Sequence, residues 1–261
     1  MNEPPVKCED LAGDDAGVRV VRVNRPAKRN ALDRATKELL AVTLTESDAD
    51  PSVRAIVLTG DHRSFVAGTD LAEMATVTPT DHLVLNTGRV FTVLDELGTP
   101  VIAAVEGYAY GGGCELAMAC DFVVAGASAT FGQREIRVGL IPGAGGLSRL
   151  VQRAGRARAL RMVLTGEPID AVTAREVGIV SDIVDDGRAV DVAIELATAV
   201  AAAPPLNVRA IRRVARHAEA ATLNTAIELE RTTFQLLFDT ADHSEGIEAF
   251  LGKRAAVYEG K

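Results

Sequence analysis

An α/β fold that gives way to an all-helical tail is predicted by two patterns in the sequence and supported by its composition. Strand-like runs alternate with helical periods from residue 18 to residue 125, as in a sheet that is at least partly parallel. From Gly143 onward the periodicity is almost wholly helical. Of 261 residues, 48% are hydrophobic but only 4% are aromatic, and Trp is absent. Such a core, built from Ala, Val, Leu and Ile, suits close packing of helix on sheet. The length is near the upper limit for a single hydrophobic core.

The elements follow in order. The first sixteen residues are polar and carry Pro4-Pro5 and Gly13-Asp14-Asp15, which predicts a loose arm. Val18 to Val23 alternates and is β-branched, the pattern of a strand. Asp33 is placed to cap a helix running to about Ser47, with Leu32, Leu39, Leu40 and Leu44 at helical spacing. Val53 to Thr59 reads as a second strand, and Gly60 and Gly68 bracket a loop before a short helix at Leu71. A helix over Leu83 to Leu97 stops at Pro100, and Val101 to Val105 is a buried strand. Gly107 to Gly111 reads as a tight turn into a helix whose first turn holds Gly112 to Glu115. Phe122 to Ala125 is a further strand, and a last short one ends at Val184. Helices are expected over Ala171–Val177, Ala189–Ala203, Leu206–Ala218, Leu223–Phe238 and Ser244–Lys253.

Several function classes are set aside. The net charge is −8 and no basic block stands out, which argues against nucleic acid. The apolar run from Val101 to Ala125 is broken by Glu106, by glycines, by Glu115 and by Asp121, so no transmembrane segment is expected. Cys8, Cys114 and Cys120 form no CxxC pair and no disulfide framework. They read as free thiols in a reducing compartment. The N-terminal region is acidic, unlike a secretory or mitochondrial leader, so the expected location is the cytoplasm.

Three places carry candidate chemistry. Gly111-Gly112-Gly113 lies at a strand-to-helix turn, where backbone can approach a ligand and free N–H groups can meet negative charge. There is no P-loop and no dinucleotide fingerprint. The turn therefore suits a smaller developing charge, such as a thioester enolate oxygen; the alternative is simple close packing. Glu115 follows in the first turn of that helix, where an acid favours the helix dipole by about 0.3–1 kcal/mol. Its neighbours Cys114, Leu116 and Ala117 are apolar, so its carboxylate needs a partner or a function. Glu135 stands between a strand-like stretch and the glycine-rich Gly139–Gly146 turn; it is either a surface acid beside Arg134 and Arg137 or the second member of an acid/base pair. Ala67-Gly68-Thr69-Asp70 is either an ordinary capped turn or the source of a second N–H aimed at the same oxygen as that of Gly112.

These residues sit in stretches that resemble the crotonase, or enoyl-CoA hydratase/isomerase, superfamily. The matching segments are NRPAKRNAL (24–32), SFVAGTDLAEM (64–74), PVIAAVEGYAYGGGCELAMACD (100–121), FGQRE (131–135), GLIPGAGG (139–146), LTG (164–166) and SEGIEAFLGKR (244–254). The resemblance implies a spiral of ββα turns over residues 17–200. A helical trimerisation and lid region would cover 201–261, with the loose arm at 1–16. It also implies a homotrimer or a dimer of trimers.

Position by position, the resemblance makes the N–H groups of Thr69 and Gly112 an oxyanion hole and makes Glu115 and Glu135 the two hydratase glutamates. Thr69 stands where the family often has Ala, Arg134 where Pro is usual, and Ala72 where Lys is frequent. Lys28, Arg29 and Arg63 remain as cations for the coenzyme A phosphates. Ala67, Asp70, Leu71 and Gly143 would join Thr69 and Gly112 in binding the substrate or its coenzyme A, and Phe250 and Lys253 would reach coenzyme A on a neighbouring subunit. The implied reaction is syn addition of water to a trans-2-enoyl-CoA, giving a 3-hydroxyacyl-CoA. Coenzyme A enters only as the substrate thioester, and no metal or redox cofactor is called for. Two other readings stay open: a Δ3,Δ2-enoyl-CoA isomerase or other crotonase-type acyl-CoA enzyme, and a non-catalytic acyl-CoA-binding or assembly protein.

Overall fold

A computed structural model describes residues 3–261 except Leu85. Among the described residues nine strands make two sheets. β1 (Val6–Asp10), β2 (Val18–Val23), β3 (Ala55–Thr59), β4 (Val101–Val105), β6 (Phe122–Gly126) and β9 (Asp182–Val184) form the larger one, in that spatial order. β5 (Tyr108–Tyr110), β7 (Thr130–Gly132) and β8 (Ile169–Asp170) form the smaller, ordered β5-β7-β8. From β2 to β9 every pairing in the larger sheet is parallel. The chain steps from β4 in the large sheet to β5 in the small one, passes through a helix, and repeats the step with β6 and β7. Isolated bridges Val66↔Ala109 and Leu32↔Thr69 extend this layering to earlier turns.

Twelve α-helices surround the sheets among the described residues. They are α1 (Arg34–Ala49), α2 (Leu71–Met74), α3 (Pro79–Val84), α4 (Arg89–Glu96), α5 (Gly112–Ala119) and α6 (Gly146–Ala154), followed by α7 (Arg156–Thr165), α8 (Ala171–Glu176), α9 (Ala189–Ala201), α10 (Pro205–Ala218), α11 (Leu223–Leu236) and α12 (Ala241–Leu251). Asp33 caps α1 by accepting from Thr36 N–H, and Asp170 caps α8 by accepting from Thr173 N–H. No single described helix is long and apolar enough to cross a membrane.

Three details depart from the expected elements. Within the N-terminal arm expected to be loose, β1 pairs antiparallel with β2, from Val6↔Val23 to Asp10↔Arg19. Its only buried member is Val6, which is why its sequence reads as polar. The segment expected as one helix over 83–97 includes Leu85, outside the described residues; around it lie α3 and α4, parted by a turn at 86–88. Tyr108–Tyr110, read as part of a turn, is β5, paired in parallel with β7.

The sheet alternation explains the small-residue composition. Val18, Val20, Ala55, Val57, Ile102, Ala104 and Val124 face one way and meet Ala189, Ala193, Ala197 and Ala201 of α9. Those four alanines recur every fourth residue and form one stripe along the helix. The opposite side of the same strands, including Ile56, Leu58, Val101 and Ala103, joins the main core with α1, α4 and α5. Ala197 is fully buried. Ala197→Leu is expected to lower stability by about 1–3 kcal/mol through overpacking; the urea midpoint of the purified variant measures it. A cavity of about 630 Å³ opens beside α9 and α10, lined by Met118, Phe122, Val200, Ile211 and Arg212 among others, and includes none of the candidate catalytic residues.

Candidate active site

After β3 the chain loops back so that Tyr110 N–H donates to Val66 O at 3.1 Å, on the edge of the small sheet. Leu32 N–H donates to Gly68 O at 2.8 Å, and Asp70 N–H donates to Leu32 O at 3.0 Å. In a parallel bridge of this kind, the N–H of the intervening residue, Thr69, points to the other side. There it meets the start of α5. Gly113 has to be glycine, because a Cβ would drive into the Val66 carbonyl; its absence lets the helix start seat against this strand. A Cβ built on Gly112 would lie 3.6 Å from Thr69 N, and one built on Gly68 would lie 3.8 Å from Gly112 N. Neither the Thr69 nor the Gly112 N–H has a backbone acceptor among the described residues. Two free donors thus converge at the positive end of an eight-residue helix.

Two carboxylates flank them. Glu115 is buried, and its Oε1 accepts from Ala144 N–H at 2.7 Å and Gly146 N–H at 2.9 Å. Those amides belong to the glycine-rich turn and the first residue of α6. Oε2 makes no hydrogen bond among the described residues, so one oxygen is fixed and the other is available to a ligand. Glu135 opens a 3-10 turn at Glu135–Val138, with its Oε1 3.0 Å from where a Gly111 Cβ would sit. Burial, with the charge of Glu115 adding to it, pushes the Glu135 carboxyl up to about 7, against the pull of the Glu135 and Arg134 backbone amides. The Arg134 guanidinium lies over the Tyr110 ring, 4.9 Å from its centroid.

Three residues at this site were not singled out by their sequence. Gln133 is fully buried; with its amide nitrogen turned toward Glu135 it donates to both carboxylate oxygens at 3.1 Å, an orientation assigned from the bonding pattern. Arg149 donates to Ala144 O at 2.8 Å and pairs with both oxygens of Asp95 at 2.7 and 2.9 Å, holding the turn that grips Glu115. Lys37 reaches from α1 to donate to Thr69 Oγ1 at 3.1 Å. Gln133 carried one signal, its place in a short apolar strand end two residues before Glu135. The other two read as ordinary cations on amphipathic helices.

The remaining predicted residues divide into two groups. Ala67 N–H donates to Arg29 O at 3.2 Å, which ties the 26–30 loop to the 67–70 segment. Buried Asn30 reinforces that tie by donating to Ser64 O at 2.9 Å. Lys28, Arg29 and Arg63 are therefore gathered near one rim, all exposed and without ion pairs among the described residues. Asp70 caps α2 by accepting from Ala72 N–H at 3.1 Å and faces Arg25; Leu71 is exposed just after it. Gly143 is exposed in the turn before Ala144. Phe250 and Lys253 are not brought to this site within one chain. Phe250 is 82% exposed on α12, and Lys253 follows the end of that helix.

With this geometry in place, similarity to known proteins is decisive. The family model described as enoyl-CoA hydratase/isomerase matches residues 13–261. The chain belongs to the enoyl-CoA hydratase/isomerase family. A 2,3-dehydroadipyl-CoA hydratase of Escherichia coli is 41% identical over 244 residues, covering 94% of this chain and 96% of that protein. A probable enoyl-CoA hydratase of Mycobacterium bovis is 39% identical over 248 residues, covering 95% and 96%. The crystal structure of an enoyl-CoA hydratase subunit from Geobacillus kaustophilus superposes with a TM-score of 0.93 at 37% identity, covering 99% of both chains. As a family member the chain has the crotonase fold, with the strand spiral carrying the site and the helices after Pro204 packed outside it.

Proposed function

We infer that this protein is an enoyl-CoA hydratase, a lyase that adds water across the double bond of a trans-2-enoyl-CoA. The observation that carries the reading is the placement of two carboxylates, Glu115 and Glu135, beside two N–H groups that have no partner among the described residues. A thioester carbonyl oxygen between Thr69 N–H and Gly112 N–H takes up negative charge as water attacks C3. A donor aimed at such a charge lowers the barrier by about 2.7–4 kcal/mol. Glu115 holds the water through its free oxygen and accepts its proton. The electrons of the C2–C3 bond move onto the thioester, and Glu135 then gives a proton to C2. Both carboxylates return to their starting protonation states by exchange with solvent. A carboxyl near pH 7 in affinity is suited to giving up a proton in neutral solution.

Loss of crotonyl-CoA absorbance on adding the purified protein tests this reading; no loss with any 2-enoyl-CoA, including 2,3-dehydroadipyl-CoA, overturns it. An isomerase acting on 3-enoyl-CoA would be revealed by formation of the conjugated thioester instead, and a non-catalytic binder by tight binding without turnover.

In this reading the only coenzyme A group involved is that of the substrate, with the phosphates met by Lys28, Arg29 and Arg63, and no metal or redox cofactor takes part. The proposed location is the cytoplasm, and the proposed assembly a trimer or a dimer of trimers. The support for assembly is apolar surface on the C-terminal helices: Phe234, Leu236, Phe238, Ile247, Phe250 and Leu251 are all more than half exposed in the single chain. Light scattering at micromolar concentration is expected to give a trimer or hexamer mass, and a monomer would remove the proposed contact of Phe250 and Lys253 with a neighbour's coenzyme A.

A further inference from the structure

Among the described residues Lys37 is the cation that bonds to Thr69, and the scheme above leaves it without a task. Its ammonium can only donate, so in the 3.1 Å contact the Thr69 hydroxyl oxygen is the acceptor. The hydroxyl proton then points away from the ammonium and is open to another acceptor. The oxygen is 3.3 Å from where a Gly112 Cβ would be and Thr69 N is 3.6 Å from the same point, so the hydroxyl and the Thr69 amide border the same side of Gly112. No acceptor for the Thr69 hydroxyl proton exists among the described residues. We propose that the Thr69 hydroxyl, turned inward by the Lys37 ammonium, is a third hydrogen-bond donor to the thioester oxygen.

Thr69 then acts on the substrate through its side chain as well as its backbone, and Lys37 is a positioning residue acting through Thr69. Burial holds the Lys37 pKa below its ordinary value, while the charges of Glu73, Glu115 and Asp33 favour the ammonium form. A cation one bond removed also polarises the O–H it orients, which strengthens donation. The inference rests on the reading of the site as one that binds an acyl thioester.

The test uses butyryl-CoA labelled with ¹³C at the thioester carbonyl, which binds but has no double bond to hydrate. Its carbonyl stretch in the bound state, read by infrared difference spectroscopy, reports hydrogen bonding directly. Wild type and Thr69→Ser are expected to share one lowered frequency. Thr69→Val, which keeps the shape and loses the hydroxyl, is expected at higher frequency, with Lys37→Met shifted in the same direction. With crotonyl-CoA, Thr69→Val is expected to lower kcat by about tenfold or more with little change in KM. A wild-type carbonyl frequency in Thr69→Val overturns the proposal. So does a Lys37→Met variant that loses activity with the frequency unmoved, since the lysine would then act elsewhere. Bound butyryl-CoA with a lowered frequency, but no hydration of any enoyl-CoA, leaves the third donor standing and removes the hydratase reading. No binding of butyryl-CoA overturns both.

Discussion

Glu115→Gln and Glu135→Gln are each expected to cut hydration of crotonyl-CoA by at least about 10²–10⁴-fold, the range for loss of a positioned acid or base. The two variants should differ in every other respect. Glutamine at 115 keeps a carbonyl oxygen to accept from Ala144 and Gly146, so the glycine-rich turn stays in place and the loss falls on kcat. Glutamine at 135 removes an ionisable group whose pKa is raised from 4.5 to about 7. For wild type, the protonated fraction of Glu135 falls as pH rises through about 7, so kcat for hydration should fall along that limb. Stability follows the same group. A carboxyl with a raised folded-state pKa binds its proton more tightly in the native state, so folding is favoured most below about 4.5 and that contribution is lost as pH rises through about 7. Glu135→Gln removes the dependence, and above pH 7 its melting temperature should match or exceed that of wild type. A wild-type rate in either variant on every enoyl-CoA tried removes that residue from the mechanism.

The second large effect is expected from Gly112→Val. Gly112 has no positive φ, so its backbone tolerates a side chain, and replacing a helical glycine lowers the entropy of the unfolded chain. The side chain would nevertheless meet Thr69 Oγ1 at 3.3 Å and Thr69 N at 3.6 Å, filling the space between the two donors. Turnover should fall by about 10²–10³-fold, as for loss of an oxyanion donor. The loss should be equal for 2-enoyl and 3-enoyl substrates, because both pass through an enolate-like state. Glu115→Gln is expected to act unequally on the two, since a proton moved along an allylic system can run on one carboxylate. A Gly112→Val enzyme with full activity on either substrate would place the carbonyl oxygen elsewhere.

Much of the spiral was legible in the sequence because its strands are short, buried runs with breakers on both sides. Val101–Val105, with Pro100 before it and Gly107 after it, is the clearest. Thr69, Gly112, Glu115 and Glu135 were legible as candidates because each combines an unusual residue type with an apolar or glycine-rich setting. β1 was missed because it is an edge strand with one buried side chain, and polar edge strands carry little periodicity. β5 was missed because three residues flanked by glycines look like a turn until the pairing with β7 is seen. Lys37, Gln133 and Arg149 owe their placement to contacts between distant segments. Lys37 meets a residue 32 positions away and Arg149 one 54 positions away, and no local pattern encodes such meetings.

The grip of Arg149 on the glycine-rich turn has a mechanical consequence. Glu115 takes its aim from the Ala144 and Gly146 amides, Ala144 is held by Arg149, and Arg149 is anchored to Asp95 near the end of α4. Asp95 is 45% exposed, so this last link faces solvent and its counterions. The alignment of the buried Glu115 carboxylate is therefore tethered to a surface ion pair. Added salt, or a neutral residue at position 95, would loosen Glu115 through the turn from a distance, by way of Arg149 and Ala144.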